Sequence, residues 1–342
     1  MSGFDIAAAL VKVLLVFGVT MLTIMLMTLA ERRVSAFMQY RLGPNRVGFG
    51  GLLQPLADGL KFLLKEDIIP TQANRPIYLL APVIVMVPAL MTMAVIPFGA
   101  PLQIGEHLVP LQVADLNIGV LYILALTSVG VYGLVLAGWG SGSKYPLLGG
   151  LRASAQLISY ELAMGLSIIG VVMLTGGLTF GEIIAYQQET GWNIWKQPLA
   201  ALIFLIAIFA ETNRLPFDLT EAEQELVGGY HTEYSSLKFA MFYLSEYANM
   251  ITASAFMVSL FFGGWDVPFV DELAMGGWGV ALSVLAFVVK VGFFLFLYIW
   301  VRWTFPRFRY DQLMRLGWKV LLPLALVNVV LTGFWLVWRA GA

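Results

Sequence analysis

Cysteine is absent from this 342-residue chain, histidine occurs only at His107 and His231, and charged residues make up just 12%. Without cysteine the chain can form no disulfide and can hold no thiolate-ligated metal or iron–sulfur cluster. Two histidines are a poor basis for a bis-histidine haem, and no metal site is expected. The formal net charge is −1, so no basic field invites nucleic acid. A charged fraction of 12% is about half the roughly 25% typical of soluble domains. What fills the chain instead is apolar: 59% hydrophobic residues and a mean hydropathy of +0.82. No single soluble core hides that much apolar surface, so the bilayer is the natural solvent. The N-terminus lacks a basic segment and a small-residue cleavage site, and it reads as a first membrane helix rather than a removed signal.

A helix that crosses a bilayer needs about 20 apolar residues. Runs of that kind lie at 6–30, 77–98, 117–138, 153–175, 194–212, 237–262, 278–301 and 320–338. The fifth is the weakest. Its apolar run from Pro198 to Ala210 is short and needs Trp192 and Trp195 at the interface to complete the span. Continuous runs argue against a barrel, whose strands alternate. The expectation is an all-α integral membrane protein of about eight transmembrane helices, in one polytopic domain over 1–342.

Lysine and arginine set the orientation. The first connection holds Arg32, Arg33, Arg41, Arg46, Lys61, Lys65 and Arg75; the third holds Lys144 and Arg152. The fifth holds Arg214, with Lys238 at its end, and the seventh holds Arg302, Arg307, Arg309, Arg315 and Lys319. The even-numbered connections together hold only Lys196. That alternation predicts eight spans with both termini on the periplasmic side, and it requires the weak fifth helix. Within the first cytoplasmic loop, residues 51–66 place Leu53, Leu56, Leu60 and Leu63 on one helical face and Gln54, Asp58, Lys61 and Lys65 on the other. This predicts an amphipathic helix along the membrane surface; an ordinary helix covering loops is the plainer alternative. Gly43-Pro44-Asn45 reads as a tight turn, and the glycine pairs at 149–150 and 228–229 as loop breaks.

Ionisable groups in hydrocarbon cost roughly 2.5–3.5 kcal/mol on insertion scales and commonly mark function. Glu161 lies about 8 residues into the fourth span, Glu246 about 9 into the sixth, and Lys290 about 12 into the seventh. The two carboxylates reach a depth of roughly 12–14 Å, near the midplane, and Lys290 reaches a similar level. The three are expected to form one buried polar layer suited to a proton relay. The bland alternative is a neutral carboxyl hydrogen-bonded to Ser or Tyr, joining helices. Lys12 is expected to snorkel to the interface. The fifth connection, 211–236, is rich in acid: Glu211, Asp218, Glu221, Glu223, Glu225 and Glu233 stand against Arg214. It reads either as a solvated loop or as a path of acids toward Glu246. Its interleaved Leu215, Phe217, Leu219, Leu226 and Val227 favour packing against protein.

Four segments carry a family resemblance. They are Glu31-Arg32-Arg33 with Gln39-Tyr40-Arg41-Leu42-Gly43-Pro44-Asn45 and Gly51 to Lys61; Leu147 to Gln156 with Ser159-Tyr160-Glu161; Glu211-Thr212-Asn213-Arg214-Leu215-Pro216-Phe217-Asp218-Leu219; and Tyr298 to Gln312. Together, and in this order, they resemble the family of the quinone-site membrane subunit of NADH-quinone oxidoreductase (respiratory complex I), the homologues of mitochondrial NADH dehydrogenase subunit 1. The resemblance runs from about residue 20 to 330.

The resemblance implies a proton-translocating subunit without a redox centre, inactive alone, in the bacterial inner membrane or, if organellar, the mitochondrial one. It implies no cofactor bound covalently or by metal ligation. Ubiquinone or menaquinone is the implied substrate, at an interface with the iron–sulfur arm. The implied partners are the terminal iron–sulfur cluster subunit, the hydrophilic quinone-site subunit, small membrane subunits and lipid. By motif, Glu31, Arg32, Gln39, Arg41, Asp58, Lys61, Phe217, Asp218 and Arg302 line or support the quinone chamber. Glu161, Glu211, Glu221, Glu223, Glu225 and Glu246 form the proton side, and Lys290 joins them by its depth in the seventh span.

Three other readings compete. A stand-alone secondary transporter would use the midplane layer, and Pro82, Pro88 and Pro97 do interrupt the second span; no matching half is found. A passive anchor would have little use for buried acids. The related membrane subunit of membrane-bound hydrogenases is the nearest rival, and the quinone-loop residues match the quinone type better.

Overall fold

Long apolar runs must close their backbone hydrogen bonds within themselves in a bilayer, which selects helices. The computed structural model describes residues 3–105, 107–220, 227–268, 270 and 275–341. Among these, six helices are long and apolar enough to cross a membrane. They are α1 (Gly3–Met38), α3 (Arg75–Met91, continued by a 3-10 turn to Val95), α4 (Gly119–Gly140), α5 (Lys144–Thr175), α10 (Gly277–Thr304) and a composite last helix. In the last, α11 (Tyr310–Arg315) runs through a π-turn at Leu316–Leu321 into α12 (Leu322–Gly341). The chain is therefore an all-α membrane protein. Its outer surface is apolar, with exposed Leu10, Leu14 and Phe17 on α1 and Val288, Val289 and Phe293 on α10.

Two further helices answer to the fifth and sixth predicted spans. The fifth is α8 (Pro198–Glu211), only 14 residues long, preceded by the single turn α7 (Asn193–Lys196). Pro198 starts α8 because its missing N–H and fixed φ suit the first turn of a helix. The sixth is α9 (Ser236–Phe261). It is not among the six apolar helices because polar residues such as Glu246, Asn249, Ser254 and Ser259 lower its hydropathy, and it lies inside the bundle: from Ser245 to Phe261 all but Asn249 are buried. A helix enclosed by protein tolerates serines, and Ser245, Ser254 and Ser259 donate their hydroxyl protons to the carbonyls of Phe242, Met250 and Ala255. α1, α3 and α10 pack around α9, with α6 (Phe180–Thr190) and α8 completing the ring. α4 packs between α3 and α5, and α5 in turn takes α8 and α12.

The amphipathic helix of the first loop exists as α2 (Gln54–Leu64) and has no buried residue. Leu53, Leu56, Leu60 and Leu63 are each a little over half exposed. Its far end is tied to the start of α9: Ser236 donates to the Phe62 carbonyl (2.9 Å) and Lys238 pairs with Asp67 (2.7 Å).

Several expectations are corrected. Gly149 and Gly150 do not break a loop. They lie inside α5, which begins at Lys144 rather than at 153. Their role is close approach. A Cβ at Gly149 would stand 2.6 Å from the Tyr230 amide nitrogen, and one at Gly150 would stand 3.0 Å from the Leu134 carbonyl oxygen. The chain also carries the unpredicted α6, whose N-terminus Thr179 caps by accepting from the Glu182 N–H (3.2 Å). A two-stranded antiparallel ribbon, β1 (Leu102–Ile104) with β2 (His107–Val109), interrupts the otherwise helical chain.

The Gly149 contact yields a test. Gly149→Ala should push the turn bearing Tyr230 away from α5 and cost about 1–3 kcal/mol. The thermal unfolding midpoint of the purified protein should fall; an unchanged midpoint would show that the two backbones are not pressed together.

Candidate functional site

The site is built on the segment that follows α8. Gln156, fully buried on α5, holds that segment from behind: its Nε2 donates to the Ala210 carbonyl (2.8 Å), Asn213 Oδ1 (3.2 Å) and the Phe217 carbonyl (3.0 Å). Asn213 takes a left-handed conformation (φ 50°), a region Asn tolerates better than most residues. The turn carries Arg214 inward. Phe217 is buried, edge-on to Tyr160 at 5.2 Å and tilted against Phe308 at 5.5 Å. Asp218 accepts from Arg307 Nη2 at 3.0 Å. Phe217 and Asp218 thus anchor the segment rather than line the cavity described next.

Arg214, buried, is the centre of the cluster. Its Nη1 lies 3.6 Å from Glu31 Oε1 and its Nη2 lies 3.6 Å from Glu246 Oε2. Its guanidinium rests on the Tyr247 ring, 4.6 Å from the centroid. Glu31 also accepts from Arg302 and from the Tyr247 hydroxyl. Tyr247 shares a hydroxyl hydrogen bond with Tyr243 (2.9 Å), and Tyr230 donates to Glu246 (3.2 Å). Two carboxylates face two guanidiniums, which is the balance a poorly solvated site requires.

On the Glu31 side a cavity of about 490 Å³ opens, lined among others by Glu31, Arg32, Arg41, Tyr247, Arg302 and Trp303. That size suits an organic ligand. The remaining predicted chamber residues hold its walls. Gln39 accepts from Arg41 Nε (2.7 Å), Asp58 accepts from Arg32 (2.5 Å), and Lys61 stands 3.9 Å from Asp58. On the Glu246 side a second cavity of about 40 Å³ is lined by Glu161, Glu211, Glu246, Thr127, Asn213 and Tyr230, with room for a few water molecules. A smaller pocket continues it, sharing Thr127, Glu211, Thr212 and Asn249. Ser128 donates to Glu161, and Thr127 bonds the Glu211 carboxyl. Outside the spans, burial pushes the Tyr234 phenol well above its ordinary value, and nearby Tyr78 adds to the shift. Tyr234 therefore stays a donor, to the Tyr78 carbonyl (3.1 Å).

Lys290 does not join the expected layer. Its ammonium donates to the carbonyls of Phe262 (2.8 Å), Gly264 (3.0 Å) and Asp266 (2.6 Å) and lies over the Trp192 ring at 4.7 Å. Those carbonyls follow the end of α9, about 16 residues after Glu246 and roughly 24 Å along the axis. A long lysine stem reaches helix-end carbonyls readily, and their partial negative charge attracts it. Glu221, Glu223 and Glu225 lie outside the described residues. Among the described residues no group of three or more Asp, Glu or His could hold a metal ion.

Arg214, Tyr230, Tyr247 and the Thr127-Ser128 pair were not singled out by the sequence. Arg214 read as one more inside cation. The available signal was an arginine enclosed by acids within an apolar-interleaved segment, together with the i, i+4 spacing of Tyr243 and Tyr247 next to Glu246.

Comparison with known proteins gives a consistent result. A family model described as NADH dehydrogenase matches residues 11–333. A NADH-quinone oxidoreductase subunit of Salinibacter ruber is 55% identical over 329 residues, covering 93% of this chain and 92% of that protein. NADH-quinone oxidoreductase subunit 8 of Rhodothermus marinus is 54% identical, covering 93% of this chain and 94% of that protein. A NADH-quinone oxidoreductase subunit of Flavobacterium psychrophilum is 50% identical, covering 98% of each.

The Arg214 bridge predicts non-additivity. In a double-mutant cycle, Glu31→Gln and Arg214→Gln should each destabilise the protein. Their interaction energy, read from thermal or denaturant unfolding, should be about 0.5–3 kcal/mol. Strictly additive losses would mean that the pair does not interact.

Proposed function

The chain belongs to the NADH dehydrogenase family whose bacterial members are membrane subunits of NADH-quinone oxidoreductase, and from that premise we propose that it forms the membrane side of a quinone-binding chamber and couples quinone reduction to proton translocation. It is a membrane subunit of a multi-subunit complex. In our reading it crosses the bacterial inner membrane eight times as one polytopic domain, with both termini periplasmic and α2 along the cytoplasmic surface. It holds no redox centre and does not act alone. Electrons come from the terminal iron–sulfur cluster of a partner subunit, next to the hydrophilic quinone-site subunit, and small membrane subunits flank it.

The observation that carries this reading is the placement of Arg214 between Glu31, on the wall of the larger cavity, and Glu246, on the wall of the smaller one. The quinone head group, ubiquinone or menaquinone, occupies the cavity at Glu31, Arg32, Arg41 and Arg302. Gln39, Asp58 and Lys61 hold these side chains from behind, and Phe217 and Asp218 anchor the loop that delivers Arg214. The isoprenoid tail leaves along the exposed leucines of α2.

Reduction places negative charge on the head group and then consumes protons. Arg32, Arg41 and Arg302 stabilise that charge. As charge at the Glu31 side changes, the pull on the Arg214 guanidinium changes with it. A guanidinium drawn toward Glu31 leaves Glu246 less compensated, and an uncompensated buried carboxylate takes up a proton. Glu211 and Glu161 share the water-sized cavity with Glu246 and pass protons onward, and the acidic stretch with Glu221, Glu223 and Glu225 supplies them.

Two variants in the assembled enzyme test the reading. Glu246→Gln should abolish coupled NADH–quinone activity while assembly is retained, and normal proton pumping would remove Glu246 from the path. Arg41→Ala should raise the apparent KM for quinone by about tenfold or more, the worth of one charged hydrogen bond. An unchanged KM would reduce Arg41 to an interfacial anchor.

A further inference from the structure

The end of the bundle opposite Glu31 carries a second polar site. α8 starts there at Pro198 and delivers Glu211 to the inner cavity at the end of its 14 residues, roughly 20 Å away. Between α5, the start of α8 and α12 lies a cavity of about 330 Å³, lined by Leu174, Lys196, Gln197, Asn328, Thr332 and Trp335 among others.

Its floor is a closed hydrogen-bond network of residues more than nine-tenths buried. Asn328 Nδ2 donates to Gln197 Oε1 (2.9 Å), Gln197 Nε2 donates to Thr332 Oγ1 (2.8 Å), and Thr332 donates to the Asn328 carbonyl (2.8 Å). Gly170 of α5 makes room for it, since a Cβ there would stand 2.8 Å from Asn328 Nδ2. Each amide keeps a second N–H to offer. One cation, Lys196, lines the cavity, and a second, Arg339, stacks on the lining residue Trp335. Lys196 donates to the Gly191 carbonyl (2.9 Å) and to Thr190, and lies over Tyr186 at 4.3 Å. Arg339 stacks on Trp335 at 5.4 Å. Asn328, Thr332, Trp335 and Arg339 follow at steps of four, three and four, so they share one face of α12. Among the described residues neither cation has a carboxylate partner.

Lys196 is also the one basic residue in the even-numbered connections, set against the charge asymmetry of the whole chain. Two like charges gathered at one cavity favour an anion there. The walls beside them, Leu174, Leu331 and Trp335, are apolar, and exposed Trp195 and Trp338 lie near in sequence, as in an interfacial aromatic belt. A free inorganic anion would gain nothing from those walls.

We propose that this cavity binds an anionic phospholipid, with Lys196 and Arg339 on the headgroup phosphate, the Gln197 and Asn328 amides toward the glycerol oxygens, and an acyl chain along Leu331 and Leu174. The site lies far from the quinone chamber and does not depend on how that chamber works.

The test uses the assembled enzyme reconstituted in phosphatidylcholine vesicles containing a few per cent of photoactivatable phosphatidylglycerol, with cross-links mapped by mass spectrometry. The wild type should label at α12 and the end of α5. Each lost cation should cut labelling about fivefold, so the double variant Lys196→Gln, Arg339→Gln falls by more than about tenfold. The charge-preserving pair Lys196→Arg, Arg339→Lys should keep most of it, separating charge from folding. Millimolar inorganic phosphate should not compete. Equal labelling by a photoactivatable phosphatidylcholine, full labelling of the Gln variant, loss in the charge-preserving pair, or competition by phosphate would each overturn the proposal.

Discussion

A charge in a poorly solvated interior is tolerated only with its counter-charge at hand, and the organisation of this chain around Arg214 follows from that constraint. The guanidinium is met on one side by Glu31 of α1 and on the other by Glu246 of α9. Arg302 of α10 supplies the second cation, and Tyr247 supplies both a hydroxyl to Glu31 and a ring face to Arg214. Three helices and one loop thus meet at a single neutral knot. Removing any charged member leaves an opposite charge buried and uncompensated.

Such a knot demands close control of the backbone, and the rest of the fold supplies it. Gln156 directs its amide protons to the loop that bears Arg214. Gly149 lets the turn bearing Tyr230 press against α5, which brings the Tyr230 hydroxyl to Glu246. The first loop is drawn in as well. Asp58 of α2 pairs with Arg32, while the end of α2 is pinned to the start of α9 through Phe62 and Asp67. A disturbance at α2 therefore has two short routes to the cluster, one through the end of α1 and one through α9.

The two cavities gain their meaning from what stands between them. One is large, open and lined by arginines; the other is water-sized and lined by three glutamates. An ion-pair chain, Glu31–Arg214–Glu246, links their walls. Charge on one side can then be sensed on the other through the Arg214 guanidinium. The polar site near Lys196 lies at the other end of the bundle and joins neither cavity.

The amino-acid order alone determined the solvent and the identity of the charges inside the apolar runs, because each of these is a local property of composition and length. Glu161 and Glu246 stood out for that reason, as did the arginines of the first loop and the amphipathic spacing of α2. Only tertiary structure decided which charge meets which. Helical periodicity fixes a residue's position along its own helix, but not the rotation or axial offset of that helix against its neighbours. For that reason Lys290, at a depth similar to Glu246 by residue counting, is found bonding the carbonyls at the end of α9, and Gly149 and Gly150 sit inside a helix instead of breaking one. Arg214 looked like an anchoring cation by sequence, and packing between distant parts of the chain placed it against Glu31.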